Sequence, residues 1–259
     1  RARNQLARMD LAKGDKAAAT KRVGEVLKES PRDNDALLLR ARMALADKQY
    51  TNAIADLRSV LKDQPESVEV IGLLTAAHMA NREPQLAKET FSNAVNRAAQ
   101  NVNLRLAYAQ FLARIGDLDG SLKQLDEALQ RAPKDARVIL TKAEVEAAKK
   151  DWSAAEATTA KLKEIQPDHP FSSYRMGLVY LAQGKNEQAA IELEKALAKA
   201  PAAIEPLTAL VNVRTREGKF DDALARIDAG LKAQPNSFAI MQLKGEVYAA
   251  QGKLAEAET

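Results

Sequence analysis

The stretch Phe171–Pro201, FSSYRMGLVYLAQGKNEQAAIELEKALAKAP, decides the fold. Its first part, Phe171 to Gln183, places apolar side chains at Phe171, Tyr174, Met176, Leu178, Tyr180 and Leu181. That spacing follows a helix and does not alternate as a strand would. Gly184 stands just past the last turn, where a residue without Cβ accepts the left-handed conformation that ends a helix. A second helix is expected from Glu187 to Lys199, with Ala190, Ile191, Leu193, Ala196 and Leu197 on its inner face. Pro201 then stops it, because proline lacks the amide hydrogen and restricts the residue before it. Two helices of about 13 residues are marginal alone and persist only where neighbours bury their apolar faces.

The neighbours are copies of the same unit. Pro31, Pro65, Pro133, Pro167, Pro201 and Pro235 lie 34 residues, or twice 34, apart, and the skipped place holds Ala99. A small-residue column keeps the same phase: Ala19, Ala53, Ala87, Ser121, Ala155, Ala189, Ala223 and Ala257. A second reads Ala7, Ala41, Thr75, Ala109, Ala143, Gly177, Val211 and Gly245. A third reads Gly14, Lys48, Arg82, Gly116, Lys150, Gly184, Gly218 and Gly252. A fourth is apolar apart from one threonine: Val23, Leu57, Phe91, Leu125, Thr159, Leu193 and Ile227. Columns that hold phase without insertion are the signature of a stacked repeat architecture.

Composition agrees with a folded helical protein. Hydrophobic residues make up 46% of the 259 residues and charged ones 29%, which is too apolar for a disordered chain. Aromatics are only 4% and alanine is common, which suits closely approaching helices. The 39 basic and 35 acidic residues are interspersed and leave a net charge of +4. Nucleic-acid binding is not expected, because a phosphate track needs clustered Lys and Arg. The absence of Cys excludes disulfides, thiolate metal sites and cysteine nucleophiles. It fits a reducing cytosol or an envelope protein without disulfides. No apolar run approaches the roughly 18 residues of a membrane span. The chain opens on Arg1, so it reads as part of a longer protein.

Gly177, Tyr180, Ala189, Leu193, Ala196 and Pro201, recurring at a period of 34, resemble the tetratricopeptide repeat (TPR). The resemblance implies an all-α, right-handed α-α superhelix spanning residues 1–259 as one TPR solenoid. Its repeats would cover about 1–33, 34–67, 68–101, 102–135, 136–169, 170–203 and 204–237, with a truncated eighth at 238–259. In that family helix A of each unit packs on its own helix B and on helix A of the next unit, and helix A lines the concave face. The third and fifth units depart from the pattern and are the expected places for a bend. The third has Ala99, Arg82 and Pro84, the last tolerable in a first helical turn. The fifth has Lys142 and Glu146, four apart and able to pair across one turn. A last unit without a capping helix would leave Leu243, Val247 and Leu254 poorly covered, prone to fraying or self-association through the truncated ends.

No catalytic constellation, cofactor site or metal site is expected. His78 and His169, the two histidines, are 91 residues apart and lack ligand spacing. His78 reads as a packed core residue and His169 as a turn or capping residue. Gly177 and Gly184-Lys185 have the wrong spacing for a phosphate loop, and Asn186 stands where Ser or Thr would follow. Carboxylates such as those in Glu192-Leu193-Glu194-Lys195 read as solvated helix faces, with no acid set beside a base.

What remains is the groove. In the family, places 2, 5, 9, 12 and 13 of helix A tend to face the concave side. That phase selects Asn103, Gln110 and Arg114 in the fourth unit, and Arg137 and Glu144 in the fifth. It selects Phe171, Tyr174 and Leu178 in the sixth, and Thr208, Asn212 and Arg216 in the seventh. Aromatic area flanked by Arg and Asn suits a protein or peptide ligand: rings for affinity, amides for extended backbone, guanidinium for carboxylates. The carboxylate clamp of one family subtype is not reproduced, since Leu38, Arg42, Gly72 and Ala76 stand at its places. The resemblance therefore implies a non-catalytic protein–protein interaction scaffold. The Ala-rich repeats are similar in general character to bacterial envelope arrays accompanying exopolysaccharide synthesis and export, including repeat lipoproteins of the PEP-CTERM sorting system, and that likeness implies a periplasmic or envelope-associated location. A different class, the substrate-recruiting arm of a larger enzyme such as a glycosyltransferase, is the alternative.

Overall fold

The computed structural model describes residues 2–257, and every regular element among them is an α-helix. Two compact units divide the chain, residues 1–131 and 132–259. The first holds four helix pairs: α1 (Ala2–Ala12) with α2 (Lys16–Glu29), α3 (Asn34–Ala46) with α4 (Tyr50–Asp63), α5 (Val68–Ala80) with α6 (Pro84–Arg97), and α7 (Val102–Arg114) with α8 (Leu118–Arg131). The second holds α9 (Ala136–Ala148) with α10 (Trp152–Ile165), α11 (Pro170–Ala182) with α12 (Asn186–Lys199), α13 (Ile204–Arg216) with α14 (Phe220–Ala233), and α15 (Phe238–Ala250) with the short α16 (Leu254–Ala257). No helix among the described residues is long and apolar enough to cross a membrane.

The four sequence columns map onto packing. Ala19, Ala53, Ala87, Ser121, Ala155, Ala189 and Ala223 all have 0% exposure. The one serine among them donates its hydroxyl to the Ala109 carbonyl at 2.8 Å, so the buried oxygen is satisfied. Gly177 of α11 shows how close the partner comes. A Cβ there would lie 2.9 Å from Leu193 Cγ and 3.4 Å from the Ala189 carbonyl oxygen of α12. Large side chains of the fourth column fill the space beside this contact, and Leu57, Leu125, Leu193 and Ile227 are fully buried.

Turn chemistry explains the column of glycines. The Gly184 amide donates to the Leu181 carbonyl at 3.0 Å and the Lys185 amide to that of Tyr180 at 2.9 Å, a Schellman closure. It requires positive φ, and Gly184 has φ +75°. Lys48, Arg82 and Lys150 occupy the same column and adopt φ of 60°, 62° and 62°. The turn therefore keeps its geometry where the sequence lacks glycine, at the steric cost of a Cβ in left-handed backbone. Lys150→Gly is expected to raise the free energy of unfolding by about 0.5–1 kcal/mol, the relief of that strain less the extra entropy of an unfolded glycine. Thermal melts of the two proteins check it, and an unchanged or lower midpoint would contradict it.

Helix starts follow a further column in the same phase. Asp33, Ser67, Asn101, Asp135 and His169 each cap the helix that follows with a side-chain acceptor. His169 Nδ1 accepts from the Phe171 amide at 3.2 Å, which starts α11 at Pro170, one residue earlier than expected. Pro84 stands at the first position of α6. Helix α6 ends at Arg97 although Ala99 replaces the usual proline, and the Asn101 cap begins α7 four residues on.

Several expectations need correction. Ile191, placed on the inner face of α12, is 54% exposed. It stands two residues, about 200°, from Leu193, so burying Leu193 turns it outward. Leu243 and Val247 are not poorly covered: they are 4% and 1% exposed. They point back into the cluster that contains Leu207, Leu210 and Ile227, and only Leu254, at 67%, is uncovered. Nor are the helix-surface carboxylates simply solvated. Glu194 accepts from Arg226 Nε at 2.8 Å, joining α12 to α14. Glu192 accepts from Lys163 of α10 at 2.9 Å and from Lys195 at 2.7 Å. The basic partners are more than a third exposed, so such pairs add little stability.

Thr159 is the polar member of the fourth column. It is 1% exposed, and its hydroxyl finds no hydrogen-bond partner among the described residues. Thr159→Val keeps the shape and removes that orphaned group. The expected gain is about 1 kcal/mol, the lower end of the cost of a buried unsatisfied hydroxyl. Urea unfolding checks it, and a loss of stability would show that the hydroxyl is bonded in solution.

Candidate functional site

Successive A helices leave shallow cavities between them. In the first unit, α5, α6 and α7 enclose about 600 Å³. Gln110 and Arg114 line one wall; Gly72, Ala76 and Met79 line the opposite one, with Phe91 and Phe111 also lining the cavity. Nothing lies within 4 Å of a Cβ built at Gly72, so the small residues open this groove. At the neighbouring clamp place, Arg42 is paired with Glu69 and is not free for a ligand carboxylate.

In the second unit, two cavities follow the same geometry. One, about 110 Å³ between α9, α10 and α11, is lined by Leu140, Glu144, Arg175 and Leu178 among others. Glu144 accepts from Arg175 there at 2.6 Å, and the Arg175 guanidinium lies 5.1 Å from the Phe171 ring centroid. The larger, about 560 Å³, lies between α11 and α13 with Asn186 at one edge. Tyr174, Thr208, Asn212 and Arg216 all line it. Leu181, Ile204, Ala209 and Val213 supply its apolar surface, and Glu205 adds a carboxylate.

The geometry of α13 explains the grouping. Residues 205, 208, 212 and 216 are spaced three, four and four apart, which returns each side chain to one face. Tyr174 packs against the core formed by α12, α13, α14 and α15, so its ring is held in place while it lines the cavity. The side chains of Tyr174, Asn186, Glu205, Thr208, Asn212 and Arg216 form no hydrogen bond or ion pair among the described residues. Arg214, two residues from Arg216, shows the contrast: it donates to Glu187 at 3.3 Å and to Glu217 at 3.0 Å. Lys219, hydrogen-bonded to Glu187 at 2.8 Å, holds the Glu187 carboxyl below the usual carboxylate range.

Of the eleven residues selected from sequence, Gln110 and Arg114 share the first-unit groove, and Glu144 and Leu178 the small cavity. Tyr174, Thr208, Asn212 and Arg216 share the cavity of about 560 Å³. Asn103, Arg137 and Phe171, all at place 2 of their helices, line none of these cavities. Arg137 turns back to Asp135 at 2.7 Å, and Phe171 stacks beneath Arg175. Glu205 and Leu181 escaped the sequence selection although they occupy places 2 and 12 of the same phase. Applying that phase to every place would have found both.

Two of the titratable sites noted in the sequence have internal partners. His78 is buried, with Nδ1 2.6 Å from Glu83 Oε2. Lys142 and Glu146 pair at 3.7 Å. No group of three or more His, Cys, Asp or Glu among the described residues is placed to hold a metal ion.

Comparison with known proteins agrees with this architecture. Tetratricopeptide repeat models match residues 4–68 and 208–259, residues 44–110, 78–138 and 116–176, and residues 172–203. No curated protein matches the chain by sequence. Among solved structures, the C-terminal part of a TPR repeat-containing protein from Cytophaga hutchinsonii is similar with a TM-score of 0.62 at 13% identity, over 93% of this chain and 98% of that one. Yeast Tom70 is similar with a TM-score of 0.64 at 15% identity, over 96% of this chain and 54% of that one. A tetratricopeptide repeat protein from Parabacteroides merdae gives 0.57 at 13% identity, over 86% and 89%. At these identities the likeness shows the fold alone, an all-α TPR solenoid. With repeat models matching most of its length and helix pairs turning at every glycine-column position, the chain belongs to the tetratricopeptide repeat family.

Proposed function

We propose that this protein is a non-catalytic interaction scaffold that holds a peptide, or an extended segment of a partner domain, against its A helices. One observation carries the reading: six polar side chains without internal partners surround a cavity of about 560 Å³ that also has an apolar lining. Groups left unpaired in the free protein can hydrogen-bond to a ligand without first breaking an internal contact. Arg and Tyr around apolar surface are the residue types that dominate binding energy at protein interfaces. Its proposed setting is envelope assembly or exopolysaccharide export in a bacterium, a reading supported by the general character of the repeats and tested by cell fractionation.

The test of the binding reading is affinity capture of partners, followed by calorimetry with variants of Tyr174 and Arg216. Lys161→Ala, on the exposed face of α10, is the control. Glu194 is unsuitable as a control because it bridges α12 and α14. Unchanged affinity in both groove variants, with a loss in the control, would place the partner on the other face.

A further inference from the structure

The same cavity carries information about its ligand's charge, an inference that rests on the binding reading above. Glu205 lies in the first turn of α13 and Arg216 is its last residue. They are eleven residues apart, three turns and about 20° of rotation, so they share a face roughly 16 Å apart. Thr208 and Asn212 lie between them on that face. Neither charged group has a partner among the described residues, although carboxylates and cations pair elsewhere on neighbouring helices. Each does offset the helix dipole at its own end, but that effect needs no cavity and no shared face.

We infer that the second-unit groove selects an extended peptide bearing a basic residue and an acidic residue four positions apart, the base at Glu205 and the acid at Arg216. The spacing follows from reach. An extended chain advances about 3.3 Å per residue, and side chains on one face recur at even offsets. Four residues cover about 13 Å and six about 20 Å. Both side chains lean toward the N-terminus, but Arg216 is the longer and reaches further back, so the charged tips lie closer than the backbone positions and four is favoured. Asn212, midway, presents both a donor and an acceptor to the backbone of the central residue, and Thr208 a hydroxyl. Tyr174 on α11 supplies apolar contact from the opposite wall. A uniformly acidic or uniformly basic segment would set a like charge against one end.

The experiment is selection of a displayed library of random seven-residue peptides on the whole chain, and in parallel on Glu205→Gln and Arg216→Gln. Circular dichroism confirms that each exposed substitution leaves the helices intact. Peptides enriched on the unaltered chain are expected to carry Lys or Arg and Asp or Glu at positions four apart. Arg216→Gln should remove the acidic preference and keep the basic one; Glu205→Gln should do the reverse. The best peptide, made synthetically, should lose at least tenfold in affinity with either variant. Enriched peptides that lack the charge pair yet bind Tyr174→Ala more weakly, or that keep both preferences on the charge variants, would overturn the charge assignment and leave the groove reading standing. No enrichment on the unaltered chain would overturn both.

Discussion

Leu193→Ala is expected to lower the free energy of unfolding by about 2–5 kcal/mol, the cost of deleting a fully buried leucine and leaving a cavity. Leu193 has no exposed surface, and its Cγ lies 2.9 Å from where a Gly177 Cβ would stand. Collapse into the void is limited, because Gly177, which faces it from α11, and Ala189, one turn earlier on α12, have little side chain to move. The opposite error is also testable. Ala189→Leu pushes a larger side chain into the same closed contact and should cost about 1–3 kcal/mol. Ile191→Ala is the internal control. It alters the same helix, but its side chain is mostly exposed and should change stability by less than about 0.5 kcal/mol. Urea titrations followed by circular dichroism provide the comparison. Equal losses at positions 191 and 193 would mean that the repeat phase is misread.

Tyr174→Ala should weaken binding of a captured partner by about 2 kcal/mol or more, roughly 30-fold. The expectation rests on rigidity. Tyr174 is packed on the core below and faces the cavity above, so its ring gives contact area at little entropic cost. Tyr174→Phe separates the two contributions, since it keeps the ring and deletes the unpaired hydroxyl. Arg216→Ala should cost a similar amount where the ligand presents a carboxylate, through loss of a charge-assisted hydrogen bond. Lys161→Ala should bind like the unaltered protein. Isothermal calorimetry gives all four values, and full affinity in Tyr174→Ala would remove the ring from the binding surface.

The sequence by itself determined the unit and its period. Columns such as Ala19 to Ala223 and Leu57 to Ile227 hold phase because each helix face meets an equivalent face one repeat on, so one packing rule is written many times. Turn positions were readable for the same reason, although Lys48, Arg82 and Lys150 show that the geometry is imposed by packing as well as by glycine. Tertiary structure alone decided the rest. Whether Arg214 or Arg216 is free depends on where Glu187 and Glu217 stand in space, and two residues of sequence separation do not reveal it. Glu194 looked solvated until Arg226, 32 residues away, was found beside it. Repeats encode apolar faces by local period, which sequence displays directly. Charge partners are chosen across repeats by side-chain reach and direction, and these exist only once the helices are stacked.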